Sequence, residues 1–152
     1  MNKQVNYNDA YNAKKFSNGV YIMNEFCSSI HETAGIEDIR NILRLYYDEP
    51  ITYAQNEFVT EVLNAIVQRS PREAAKEIIK NIMVLKQEEA ERSIGDIFII
   101  FFHWHKQFTT IFLDELKKVN EDTQKYILDN LKYFAEHEDD KVYLKVLEQY
   151  SE

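Results

Sequence analysis

Apolar residues in this chain recur at three- and four-residue intervals from one end to the other, and that spacing constrains the fold more than any other feature. Ile36, Ile39, Ile42, Leu43 and Tyr46 follow it, as do Phe58, Val59, Val62, Leu63, Ile66 and Val67. Ala74, Ala75, Ile78, Ile79, Ile82 and Met83 repeat it, and so do Ile127, Leu131, Phe134 and then Tyr143, Val146, Leu147, Tyr150. Such spacing puts one stripe of side chains on one face of a helix, whereas a half-buried strand needs strict alternation. Three glycines and two prolines in 152 residues leave little turn punctuation for a many-stranded sheet. The fold class expected is all-α, either stacked antiparallel helix pairs of about 35 residues in the HEAT-like manner or an irregular helical bundle.

The boundaries follow from capping chemistry. Residues 1–16 are polar and weakly periodic and read as an arm, with 17–152 a single helical domain. A first helix runs from Val20 to Thr33 and ends at Gly35, suited to the left-handed C-terminal position. A second stops at Asp48, Glu49 and Pro50, and a third reaches Arg69. Ser70-Pro71-Arg72-Glu73 combines a hydroxyl cap, a proline at the first helical position and a glutamate placed to bond back to the cap's amide. Asn120, Glu121 and Asp122 provide another cap with acids in the first turn. From Ile94 to Leu113 the chain is almost wholly apolar and aromatic, so periodicity cannot separate strand from helix. Helix is preferred because a lone strand would find no sheet partner for its backbone groups. Either one bent helix or two helices with a turn at 105–107 fits.

Composition narrows the function. A formal net charge of −8 opposes attraction to nucleic-acid phosphates and anionic lipid. The charge is uneven: residues 1–76 carry 8 basic against 10 acidic side chains and 77–152 carry 10 against 16, or −2 and −6. The most apolar segment, Ile97 to Phe102, is far shorter than the ~20 residues of a membrane helix. A single cysteine, Cys27, permits no internal disulfide and reads as a buried apolar residue, and no leader of signal type opens the chain, so cytoplasm is the expected compartment.

Motifs for catalysis are missing. Gly19, Gly35 and Gly95 cannot build a phosphate loop or a nucleophile elbow, and there is no Cys-x-x-Cys or Glu-x-x-His. His103 and His105, two apart, diverge on a helix and cannot share one ion. No cofactor and no metal are expected, and the chain reads as a non-enzyme. Phe98, Phe101, Phe102, Trp104 and Phe108 could line a ligand pocket, although such a cluster is usually core.

What remains is charge and aromatics. If turns alternate between two edges of a helical stack, Asp48/Glu49, Glu88/Glu89/Glu91 and Glu121/Asp122 share one edge. If the helix through His105 is continuous, the third member becomes Glu136, Glu138, Asp139 and Asp140. Either arrangement is an acidic rim reachable by a basic protein. Tyr47 follows Tyr46 and Tyr133 precedes Phe134, so one of each pair must face away from the stripe, and Tyr47, Tyr53 and Tyr133 are the exposed aromatics expected to join the contact. The residues expected to bind a partner are therefore Asp48, Glu49, Glu88, Glu89, Glu91, Glu121, Asp122, Tyr47, Tyr53 and Tyr133.

The stretch FLDELKKVNEDTQKYILDNLKYFAEHEDD, preceded by SPREAAKEIIKNIM, resembles the helical acidic immunity proteins of bacterial toxin systems, including contact-dependent inhibition modules. The likeness is one of size, acidity and helix-pair style over 36–150. It implies a cognate inhibitor that plugs the basic active-site cleft of a toxin, often a nuclease, and carries over no functional residue. A helical-repeat adaptor and a small-ligand-binding or metal-dependent helical enzyme are the alternatives.

Overall fold

The structure, a computed structural model, describes residues 33–44, 53–83, 85 and 91–152, with the backbone alone at 53–55 and 91–93. Seven α-helices and no strand occur among them. A 3-10 turn, Ile36–Asp38, leads into α1 (Ile39–Arg44); α2 spans Tyr53–Arg69 and α3 Pro71–Asn81. Helix α4 (Glu91–Phe98) continues as a π-helix, Ile99–Trp104, then breaks. A 3-10 turn, Lys106–Phe108, opens α5 (Thr109–Leu116), followed by α6 (Glu121–His137) and α7 (Val142–Tyr150). The expected helix over Val20 to Thr33 lies almost wholly outside the described residues.

The apolar stripes read from the sequence are the ones buried. Ile39, Ile42 and Leu43 of α1, Phe58 to Val67 of α2, and Ala74, Ala75, Ile78 and Ile79 of α3 join one continuous core. Ile94, Ile97, Phe98, Phe101, Phe102, Phe112, Leu116, Ile127, Leu131, Tyr143 and Val146 complete it from the C-terminal side. Helix α3 packs closely on α1 and α5, and its Ala74 and Ala75 are fully buried, as expected of small residues that let a neighbour approach. Burial of each large side chain contributes roughly 1.5–3 kcal/mol.

Two local expectations are corrected and one open choice is decided. Gly35 is extended, at φ −129° and ψ −178°, and caps the start of the next helix. Its amide donates to Asp38 Oδ2 at 2.9 Å, and its carbonyl accepts from the Asp38 amide at 3.0 Å. The Ser70 hydroxyl makes no cap bond. The Ser70 amide instead donates to the Ile66 carbonyl at 3.0 Å, so the last turn of α2 already satisfies the group that Glu73 was expected to serve. Proline at the first position still opens α3. The open choice is 94–113, which is two helical pieces with a turn where expected, the break falling at His105, where φ is −129° and ψ 67°.

That break forms without Gly or Pro because side chains hold it. The π-helix bond from the His105 amide to the Ile100 carbonyl, 3.1 Å, closes the last wide turn. The Phe101 carbonyl is then taken by the Thr109 hydroxyl at 2.9 Å, and His105 Nε2 donates to Asn64 Oδ1 of α2 at 2.7 Å. At the other end of the same pair, Asn56 of α2 donates to Asp96 of α4 at 2.7 Å. Two bonds, 56 to 96 and 64 to 105, thus tie α2 to the start and the end of the segment that runs from α4 to the break.

Candidate protein-binding surface

His103 ends the π-helix beside the turn that joins α6 to α7. Its Nε2 lies 3.4 Å from Asp140 Oδ2, and its ring meets the Tyr143 ring edge-on with centroids 5.5 Å apart. Tyr143 also stacks on Phe134 at 5.3 Å, and Phe134 meets Phe98 edge-on at 5.7 Å. These rings fasten α6, α7 and the α4 π-segment to one another. The turn is defined by its own polar bonds too: the Glu138 amide donates to the Phe134 carbonyl at 2.9 Å, and the Val142 amide to Asp140 Oδ1 at 2.9 Å.

The turn carries Glu136, Glu138, Asp139 and Asp140, all exposed. Glu138, Asp140 and Asp96 converge on Tyr143, whose hydroxyl is pushed up to about 12 by burial first and by these carboxylates second. Asp140 has His103 as partner, whereas among the described residues Glu136, Glu138 and Asp139 have no ion-pair partner. Three other acids are matched, Asp129 by Lys125 at 2.9 Å, Glu115 by Lys118 at 2.8 Å and Asp114 by Arg72 at 3.5 Å, while Glu121 and Asp122 share the lack of an ion pair among the described residues.

Tyr133 lies in the open beside the turn, and Trp104 is the other exposed aromatic of this part of the chain. Tyr133 is 53 % exposed and stacks on His137 with ring centroids 4.0 Å apart and planes 21° from parallel. His137 Nδ1 donates to the Tyr133 carbonyl at 2.8 Å, which fixes the imidazole against the phenol. Trp104, next to His103 and the chain's single tryptophan, is 51 % exposed.

Of the residues expected from sequence to bind a partner, Tyr133 is exposed as read, and Glu121 and Asp122 are exposed in the first turn of α6. Tyr133 and Glu121 lie on one helix twelve residues apart, about 18 Å along its axis, so the two do not form one cluster. Tyr53 and Glu91 begin α2 and α4, which the Asn56–Asp96 bond links; the side chains of these two residues lie outside the description. Tyr47, Asp48, Glu49, Glu88 and Glu89 lie outside the described residues. Glu136, Glu138, Asp139 and Asp140 entered the sequence reading only as the case of an unbroken helix, and the helix does break. Their grouping with His103 and Trp104 depends on packing between distant segments.

The aromatic segment is not a pocket wall. Phe98, Phe101 and Phe102 are fully buried, with Phe98–Phe102 at 5.4 Å, Phe101–Phe112 at 4.9 Å and Phe102–Phe112 at 5.3 Å. Phe108 is half-buried and packs on the His105 ring at 5.2 Å. His103 and His105 serve different neighbours, Asp140 and Asn64. Among the described residues no three His, Cys, Asp or Glu group as a metal site would require, and no helix is long and apolar enough to cross a membrane. Comparison with protein-family models, curated proteins and solved structures finds no match.

Proposed function

We propose that this chain is a protein-binding inhibitor of the immunity type, which neutralises a cognate basic toxin by covering its active site. The observation that supports the reading is the exposed group Glu136, Glu138 and Asp139, without ion pairs among the described residues, at the end of the helix that carries the half-exposed Tyr133. Carboxylates on a firmly packed helical scaffold speed encounter with a cationic partner and set its orientation. Aromatic side chains supply the contact area that holds the complex once formed. A nuclease fits this partner class well, because its cleft is cationic to hold phosphate and a carboxylate surface imitates that charge pattern.

The test mixes the purified chain with the basic product of the reading frame immediately upstream. The expected result is a 1:1 complex on size-exclusion chromatography, accompanied by loss of that partner's toxic activity. A complex that leaves the activity intact would make the chain an adaptor, and absence of binding would remove the reading.

A further inference from the structure

We infer that His103 and Asp140 form a proton-dependent clasp between the end of the π-helix and the α6–α7 turn, closed as an ion pair when the imidazole is protonated. The clasp belongs to the free chain and is independent of any partner. Two contacts place it. His103 Nε2 is 3.4 Å from Asp140 Oδ2, and the same ring meets Tyr143 edge-on at 5.5 Å. Asp140 is itself anchored, because its Oδ1 accepts from the Val142 amide at 2.9 Å, which leaves Oδ2 for the imidazole. The His103 side chain is 27 % exposed and that of Asp140 44 %, so water screens the pair only in part. A separation of 3.4 Å is long for a hydrogen bond from a neutral ring. A protonated ring carries N–H on both nitrogens and a charge, so the same approach becomes a charge-assisted contact.

The groups around His103 make imidazole the side chain that switches. Carboxyl groups are ionised above roughly pH 5 and phenols keep their proton past pH 8, so imidazole changes charge between those limits. Tyr143, with its hydroxyl pushed up to about 12, stays neutral throughout. Glu138 and Asp140 from the turn and Asp96 from α4 converge on Tyr143, against whose ring His103 lies. Asp139 lies between the two turn acids in sequence. The nearest cations in sequence, Lys106 and Lys141, are exposed and pair with no acid among the described residues. On α5, which also packs on the π-helix, Asp114 and Glu115 are engaged by Arg72 and Lys118. Helix α2 reaches this end through the uncharged Asn64. The other two described histidines differ. His137 stacks on Tyr133 and donates to a carbonyl of its own helix, so it ties no two elements together. His105 meets the Asn64 amide group and no carboxylate.

A cation that gains a carboxylate on folding is favoured in the folded chain, so the stabilisation is present on the acid side of the imidazole range and lost as pH rises through it. The test is a double-mutant cycle on the whole chain, with His103→Gln, Asp140→Asn and both together, unfolded by urea at about pH 5.5 and about pH 8. Asparagine keeps an oxygen for the Val142 amide, and neither position belongs to the buried core. Every other titrating group is common to all four chains and cancels in the cycle. The coupling between the two positions should change the unfolding equilibrium constant about threefold at the lower pH and less than about 1.5-fold at the higher. The same cycle with His137→Gln in place of His103→Gln should show less than about 1.5-fold coupling at both. Coupling of equal size at the two pH values, coupling absent from both, or equal coupling through His137 would overturn the inference. No partner enters the experiment, so its failure leaves the binding reading untouched, and failure of the binding reading leaves the clasp.

Discussion

Gly95 of α4 faces Phe134 of α6: a Cβ placed there would lie 3.1 Å from Phe134 Cζ. Alanine gains about 1 kcal/mol of helix propensity over glycine, and the half-buried ring needs to yield only slightly, so Gly95→Ala is expected to be nearly neutral. Gly95→Val adds volume the ring cannot avoid and should cost about 1–3 kcal/mol, read as a lower urea midpoint at unchanged slope. Tyr143 gives a second residue-scale expectation. Its folded pKa, raised to about 12, lies above the ordinary value near 10, so the unfolded chain releases this proton first. Stability from this group is therefore complete below about pH 10 and declines as pH rises toward 12. Tyr143→Phe should flatten the fall in unfolding free energy over that window, measured against wild type. At this scale the sequence was partly legible. Tyr133 could be placed outside because Phe134 beside it continues the buried stripe. The His103–Asp140 contact could not be foreseen, because the two are 37 positions apart and meet only through tertiary packing.

Helix starts that look alike in sequence differ in what holds them. Asn120 Oδ1 accepts from the Thr123 amide at 2.9 Å, so Asn120→Ala should cost about 1 kcal/mol, with Asp or Ser at that position restoring most of it. The Ser70 hydroxyl caps nothing, so Ser70→Ala should change thermal stability by less than about 0.5 kcal/mol. Thermal or urea unfolding of the pair decides the contrast, and a comparable loss at both positions would contradict it. Element type was readable because each stripe has helical spacing and is buried along its length. Element ends were less so. The break at His105 depends on Asn64 and Thr109, side chains 41 and 4 residues from it, rather than on any local breaker. Gly35 was misread for a similar reason, since Asp38, three residues beyond it, makes it the start of a helix.

On the scale of the whole molecule, acidity is distributed unequally in the way that matters for encounter. The C-terminal half holds the larger negative balance, and among the described residues it presents three carboxylates without ion-pair partners beside open aromatic faces. The core beneath is continuous from Ala34 to Val146, so the surface is carried by packed helices. A basic partner is proposed from charge and aromatic content. That segments 99–104 and 133–140 meet was not legible in the sequence, because His103 reaches Asp140 only through tertiary packing. The most direct measurement is the association rate of the chain with its basic partner across ionic strengths from about 20 to about 500 mM, where the Debye length shrinks from roughly 20 Å to about 4 Å. The rate should fall at least about tenfold, and the variant carrying Glu136→Gln, Glu138→Gln and Asp139→Asn should lose most of that dependence. A rate that stays flat with added salt in the wild-type chain would contradict a surface built to draw in a cationic protein.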